Sequence, residues 1–279
     1  MDLIVNPEEV IATDCLFLDT QFVLGDPKGG YSLYLERHIP NAIFVDLDGV
    51  LCGEITEKTG RHPLPDLKKF VSFLEQNGID MNNKIVVYDN GGGGFAARLW
   101  WMLRTLGFEH VAVLNGGIDY WVRKGFPIAS GTENVDRTPV ILHDLPTTWQ
   151  EGLYPIIDAK QLKKGILNDS LVPIDSRNHE RYLGLEKGPD FMAGRIPKAL
   201  NLPWGEHLDN DGKLLPKENL KNRFSKIVSK QNVFYCGSGV TACFNVLLAE
   251  WLGFGRIPLY PGSWSEWIRL YPDFVEVAT

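Results

Sequence analysis

Short apolar runs alternate with stretches of helical periodicity along the whole chain. Leu16-Phe-Leu-Asp-Thr-Gln-Phe22, Ile85-Val-Val-Tyr-Asp89, Leu171-Val-Pro-Ile-Asp-Ser-Arg177 and Val233-Phe-Tyr-Cys236 are rich in β-branched and aromatic residues. Each is too short for a helix and gives way to a polar residue or a cysteine, which predicts buried strands. Residues 66–76, 98–105, 217–228 and 242–252 carry the periodicity of helices. The run 240–252 contains neither Pro nor Gly, so it predicts a core-facing helix. Gly78, Gly107 and Gly253 stand where helices should stop. Strands alternating with helices predict an α/β fold with mainly parallel sheets flanked by helices. Ligands of such sheets bind beyond the carboxyl ends of strands.

The pattern occurs twice. Leu16-Phe-Leu-Asp19 is matched by Leu171-Val-Pro-Ile-Asp175, and Arg37-His-Ile-Pro-Asn-Ala42 by Gly194-Arg-Ile-Pro-Lys-Ala199. Ile85-Val-Val-Tyr-Asp89 pairs with Val233-Phe-Tyr-Cys236, and Leu114-Asn-Gly-Gly-Ile-Asp-Tyr-Trp121 with Tyr260-Pro-Gly-Ser-Trp-Ser-Glu-Trp267. Four matches in one order point to a tandem duplication. The expected domains are 1–130 and 151–279. Ala129-Ser-Gly-Thr-Glu-Asn-Val-Asp-Arg-Thr-Pro139 is polar and aperiodic and opens a linker over 131–150. Two such domains normally meet across a cleft, with the first helping to wall it.

The duplicated loops differ in chemistry. In Cys236-Gly-Ser-Gly-Val-Thr-Ala242 a cysteine stands between a strand and a helix start. Gly237 and Gly239 permit backbone angles closed to other residues. N–H groups at a helix start favour a thiolate, and successive N–H groups can cradle an anion bonded to the sulfur. Cys236, Gly237, Ser238, Gly239, Val240, Thr241 and Ala242 therefore form the leading candidate site. The other copy has Asp89 followed by Asn90-Gly-Gly-Gly-Gly-Phe95. A carboxylate is no soft nucleophile, so the first domain reads as non-catalytic. A phosphate site at 91–94 is the alternative, without a GKS or dinucleotide fingerprint to support it.

Several other residues have plainer readings. Cys243 reads as a buried inert thiol and His38 as a turn-fixing residue. Trp100, Trp101, Trp121, Trp264 and Trp267 read as core packing. Composition excludes some classes. A length of 279 residues, 44% apolar and 23% charged, fits two soluble domains. A net charge of −7 argues against a nucleic-acid surface. No basic leader or membrane-length apolar run is present in the sequence. Cys15, Cys52, Cys236 and Cys243 lack zinc or disulfide spacing, so a reducing cytoplasm fits and no metal is implied.

The paired Ile-Pro motifs, the exchange of Asp89 for Cys236 and the Gly-Ser-Trp-Ser-Glu-Trp end resemble the tandem-domain rhodanese family of sulfurtransferases over nearly the whole chain. The loop from Cys236 to Ala242 is similar to that of members using 3-mercaptopyruvate, whereas thiosulfate-preferring members carry charges directly after the cysteine. Gly237 and Ser238 are uncharged, which suits a thiol donor bearing one carboxylate rather than a dianion.

The resemblance implies that Cys236 takes sulfur as a persulfide and that pyruvate leaves. It implies Ser238, His62 and Asp46 as proton-transfer partners, with Asp48 the alternative to Asp46. It also implies Arg181 as the arginine that grips the donor carboxylate. Arg177 is expected to pair internally near Asp175. The family's second substrate arginine has no counterpart in Gly184-Leu-Glu-Lys-Gly-Pro-Asp190, where Lys187 offers a point charge. Arg195 stands where the family usually has His.

No cofactor is implied, since sulfur rides on Cys236. The expected acceptors are a thiol, cyanide or a thioredoxin-like protein. Two alternatives remain, a thiosulfate sulfurtransferase and a non-enzymatic persulfide carrier. A related-fold phosphatase needs Arg six residues after the cysteine, where this chain has Ala242.

Overall fold

The computed structural model describes residues 1–133 and 137–277. Asn134, Val135 and Asp136, in the expected linker, lie outside the described residues. The chain forms two compact units. Unit 1 comprises Met1–Gly53, Pro65–Leu153 and Leu208–Leu214. Unit 2 comprises Glu54–Leu64, Tyr154–His207 and the chain from Leu215 onward.

Unit 1 has strands β1 (Ile4–Val5), β2 (Leu16–Asp19), β3 (Ile43–Phe44), β4 (Ile85–Tyr88) and β5 (Val111–Leu114). They form a parallel sheet in the order β1-β5-β4-β2-β3. Its helices are α1 (Pro7–Val10), α2 (Gly29–Glu36), α3 (Leu67–Gln76), α4 (Ala96–Thr105) and α5 (Gly117–Arg123). α3 starts where the Asp66 carboxylate accepts the Lys69 N–H at 3.0 Å, which satisfies a donor left open by the helix start. It turns Phe70 and Leu74 into the core. β2 stops at Asp19, short of the expected Phe22, because that carboxylate accepts the Gln21 N–H at 2.8 Å and turns the chain.

Unit 2 has β6 (Val172–Asp175), β7 (Leu200–Asn201) and β8 (Asn232–Tyr235) in the parallel order β7-β6-β8. Parallel bridges Phe234–Leu259 and Ile156–Leu259 continue that sheet. The order Ile156, Leu259, β8, β6, β7 thus repeats that of unit 1. Its helices are α6 (Ala159–Leu167), α7 (His179–Leu183), α8 (Lys217–Phe224), α9 (Ala242–Trp251) and α10 (Ser263–Leu270). α8 is a turn shorter than expected, since Ile227 and Val228 both bond back to the Phe224 carbonyl. The five tryptophans expected in the cores are buried there.

The repeated Ile-Pro motif now has a cause. Tyr235, at the end of β8, donates its hydroxyl to Asp175 at 2.8 Å and accepts the Ile196 N–H at 3.2 Å. In unit 1 the Tyr88 hydroxyl accepts the Ile39 N–H at 3.0 Å. A buried tyrosine thus satisfies a buried backbone donor in each copy. His38 is fully buried and bonds the Tyr34 carbonyl at 2.7 Å and Glu133 at 3.1 Å, so it does fix its turn. Arg195 instead lies over the Tyr182 ring at 4.7 Å and pairs with Glu276 at 3.3 Å. No helix among the described residues is long and apolar enough to cross a membrane.

Candidate active site

Cys236 follows β8 directly and is only 2% exposed. Its N–H donates to Ser263 Oγ at 3.0 Å, and its carbonyl accepts the Trp264 N–H at 3.0 Å. The first turn of α10 therefore pins the residue from both sides. Gly239 has φ of +79°, and a Cβ there would lie 2.0 Å from the Pro261 carbonyl oxygen. Only glycine allows that approach. The Gly239 N–H in turn reaches Cys236 Sγ at 3.2 Å. Burial opposes ionisation of this thiol, but the Thr241 hydroxyl and the N–H groups of Ser238, Ala242 and Gly239 outweigh it and hold its pKa below the ordinary thiol range.

The corresponding loop of unit 1 has the same form with a different occupant. Asp89 Oδ1 accepts the N–H groups of Gly91 and Gly93, both at 2.8 Å. Asp89 Oδ2 accepts those of Phe95 at 2.7 Å and Ala96 at 3.0 Å. The chain's own carboxylate fills this cradle, which leaves its four donors nothing to offer a phosphate.

Around Cys236 the charges come from outside its loop. Arg61 and Arg181 share one buried carboxylate, Asp190: Arg61 pairs with Oδ1, and Arg181 Nη2 lies 2.8 Å from Oδ2. A Cβ on Gly237 would lie 2.9 Å from Nη2 of both arginines. The missing side chain of Gly237 makes room for two guanidiniums, the expected Arg181 and with it Arg61. Burial and the neighbouring Arg181 bring the Arg61 pKa down to about 10. Arg181 is also lowered, by burial first and then by Arg177. The Nε atoms of Arg61 and Arg181 are buried without a hydrogen-bond partner. Arg177 pairs with Asp175, Nη2 to Oδ2 at 2.6 Å, and lies over Trp264, the internal role expected of it.

His62 Nδ1 lies 2.7 Å from Ser238 Oγ, and Ser238 is 8% exposed. Ser265 holds this segment against the loop: its N–H donates to the Gly237 carbonyl at 2.9 Å while its Oγ accepts the Arg61 N–H at 3.0 Å. Cys236, Ser238, His62, Arg181 and 237–242 thus come together in unit 2. Lys187 is exposed in the turn where its carbonyl accepts the Asp190 N–H. Asp46 and Asp48 belong to unit 1. There the Gly49 N–H donates to Asp46 at 3.0 Å, and burial followed by the Asp46 charge raises the Asp48 pKa.

Sequence reasoning missed Arg61, Asp190, Ser263 and Ser265. Arg61 directly precedes His62, and both serines lie in the repeated Trp motif, so three of the four had a signal. Among the described residues no group of three or more His, Cys, Asp or Glu side chains could hold a metal ion.

Residues 12–124 and 158–270 each match the rhodanese-like domain. The chain belongs to the rhodanese-like domain family. It is a sulfurtransferase. A Pseudomonas aeruginosa relative named as a probable 3-mercaptopyruvate sulfurtransferase is 38% identical over 261 residues, covering 91% of this chain and 89% of that protein. A mitochondrial thiosulfate/3-mercaptopyruvate sulfurtransferase of Arabidopsis thaliana is 33% identical, covering 91% of this chain and 72% of that protein. The solved 3-mercaptopyruvate sulfurtransferase of Leishmania major superposes with a TM-score of 0.89 at 29% identity. That match covers 98% of this chain and 76% of the other.

Proposed function

We propose that this sulfurtransferase takes sulfur from 3-mercaptopyruvate onto Cys236, releases pyruvate, and passes the sulfur to a thiol acceptor. The observation that carries the reading is the buried Cys236 sulfur, held by loop N–H groups beneath two guanidiniums. The Cys236 thiolate attacks the thiol sulfur of the donor. A sulfur–sulfur bond forms, the carbon–sulfur bond breaks, and its electron pair leaves on carbon as the enolate of pyruvate. Loop N–H groups stabilise the thiolate before attack and the persulfide after it.

The enolate needs a proton. The Ser238 hydroxyl, 2.7 Å from His62, is the group proposed to deliver it, with His62 replenishing it. Arg181 and Arg61 grip the donor carboxylate, whose oxygens suit the planar fork of a guanidinium. Arg61 takes the part that sequence reasoning gave to Lys187. A thiol acceptor then attacks the terminal sulfur and regenerates the Cys236 thiolate. All four cysteines are thiols, which suits a reducing compartment such as the cytoplasm.

A second reading takes the dianion thiosulfate as donor through the same persulfide, with the two guanidiniums facing it. The test is pyruvate release from 3-mercaptopyruvate with a thiol acceptor, set against thiosulfate turnover, for the wild type and Cys236→Ser. The reading requires faster turnover of mercaptopyruvate and none in the variant. Preference for thiosulfate would replace it with the second reading, and pyruvate release by the variant would remove Cys236 from the chemistry.

A further inference from the structure

We propose that Asp190 sets the charge this site accepts, favouring donors that carry a single negative charge in total over dianions. The inference rests on the reading of Cys236 and its two arginines above. Asp190 is 5% exposed, and its two carboxylate oxygens divide between Arg61 and Arg181. Two guanidiniums against one carboxylate leave one net positive charge over Gly237. The Cys236 thiolate also faces this pair, but it meets every donor alike, and Glu186 and Arg269 are exposed, so the difference between donors is left to the arginines and Asp190. Arg177 is cancelled by Asp175, and Lys187 is exposed, where solvent screens it.

One surplus charge matches the carboxylate of a thiol donor. A dianion brings one negative charge more than the arginine pair can offset while Asp190 is ionised, and in a partly buried site that excess is poorly screened. Asp190 does not use up the hydrogen-bonding capacity of its partners. Both guanidiniums still present Nη2 towards Gly237, and both Nε atoms are buried without a hydrogen-bond partner. The residue therefore tunes charge and position together, acting through Arg61 and Arg181 rather than touching the donor.

The experiment compares thiosulfate with benzenethiosulfonate, which presents the same outer sulfur with one negative charge fewer. Each donor gives that sulfur to the Cys236 thiolate as its sulfur–sulfur bond breaks, with the electron pair leaving on sulfite or on benzenesulfinate. kcat/KM for both is measured in wild type, Asp190→Asn and Asp190→Glu, at low and high salt, with 3-mercaptopyruvate alongside. Asp190→Asn keeps the size and an acceptor oxygen but removes the charge, so the thiosulfate-to-thiosulfonate ratio should rise on the order of tenfold. Salt should shrink that rise, and Asp190→Glu should keep the wild-type ratio. Equal change in both donors would make Asp190 a purely structural brace and overturn the proposal, as would a Glu variant that shifts like Asn or the absence of transfer from either sulfur–sulfur donor. If mercaptopyruvate alone fails in the wild type, the donor assignment falls while the charge ratio still decides the role of Asp190.

Discussion

Asp89 and Cys236 stand at the same point of one repeated motif, each a single residue beyond a strand that ends on tyrosine, and each is the acceptor for N–H groups of the loop that follows it. The first copy closes its cradle on a carboxylate, and the second leaves a sulfur in it. Duplication has thus produced one loop that is structurally satisfied and one that is chemically poised.

Asp89→Ala should destabilise the protein by about 3 kcal/mol, because four buried or half-buried N–H groups would lose a charged acceptor at once. Denaturant unfolding measures this. Sulfur transfer by the folded fraction should be unaffected.

Thr241→Val should raise the pH at which Cys236 becomes reactive. The Thr241 hydroxyl is the largest of the influences that lower this thiol's pKa, and burial opposes them. A lowered pKa means thiolate is present at a pH where a free thiol is still protonated. The rate of Cys236 alkylation against pH should therefore show a midpoint below the ordinary thiol range in the wild type, displaced upward in the variant.

Much of this was legible in the sequence. The apolar runs gave the strands of the sheets, and the paired motifs gave the duplication. Cys236 was visible because glycines and a helix start surround a cysteine at a strand end. The polar clasp around it was not. Asp190 has no motif, and its pairing with Arg61 joins positions 129 residues apart by their numbering, a proximity that only tertiary folding creates. What fills the space beside Gly237 was hidden for the same reason. That space is filled by guanidiniums from elsewhere in the chain, of which the sequence offered Arg181 but not Arg61.

Arg61→Gln should raise KM for 3-mercaptopyruvate on the order of tenfold or more with a smaller change in kcat, since the lost bond is to the carboxylate and not to the reacting sulfur. Arg61→Lys should recover only part of that loss, because an ammonium lacks the bidentate fork. Steady-state kinetics with both variants measures the split.

His62→Gln should lower kcat for pyruvate release on the order of a hundredfold and leave persulfide formation from a thiosulfonate near the wild-type rate. Only the first reaction generates a carbanion that needs a proton. Rapid-mixing measurements on the two donors separate the steps.

The central claim is that sulfur travels on Cys236. Intact-protein mass spectrometry after a single exposure to 3-mercaptopyruvate, without acceptor, tests it most directly. The account predicts a mass gain of one sulfur atom, located on the peptide bearing Cys236, lost on adding a thiol and absent in Cys236→Ser. Pyruvate release with no sulfur retained on the protein, or sulfur retained on Cys15, Cys52 or Cys243 instead, would contradict it.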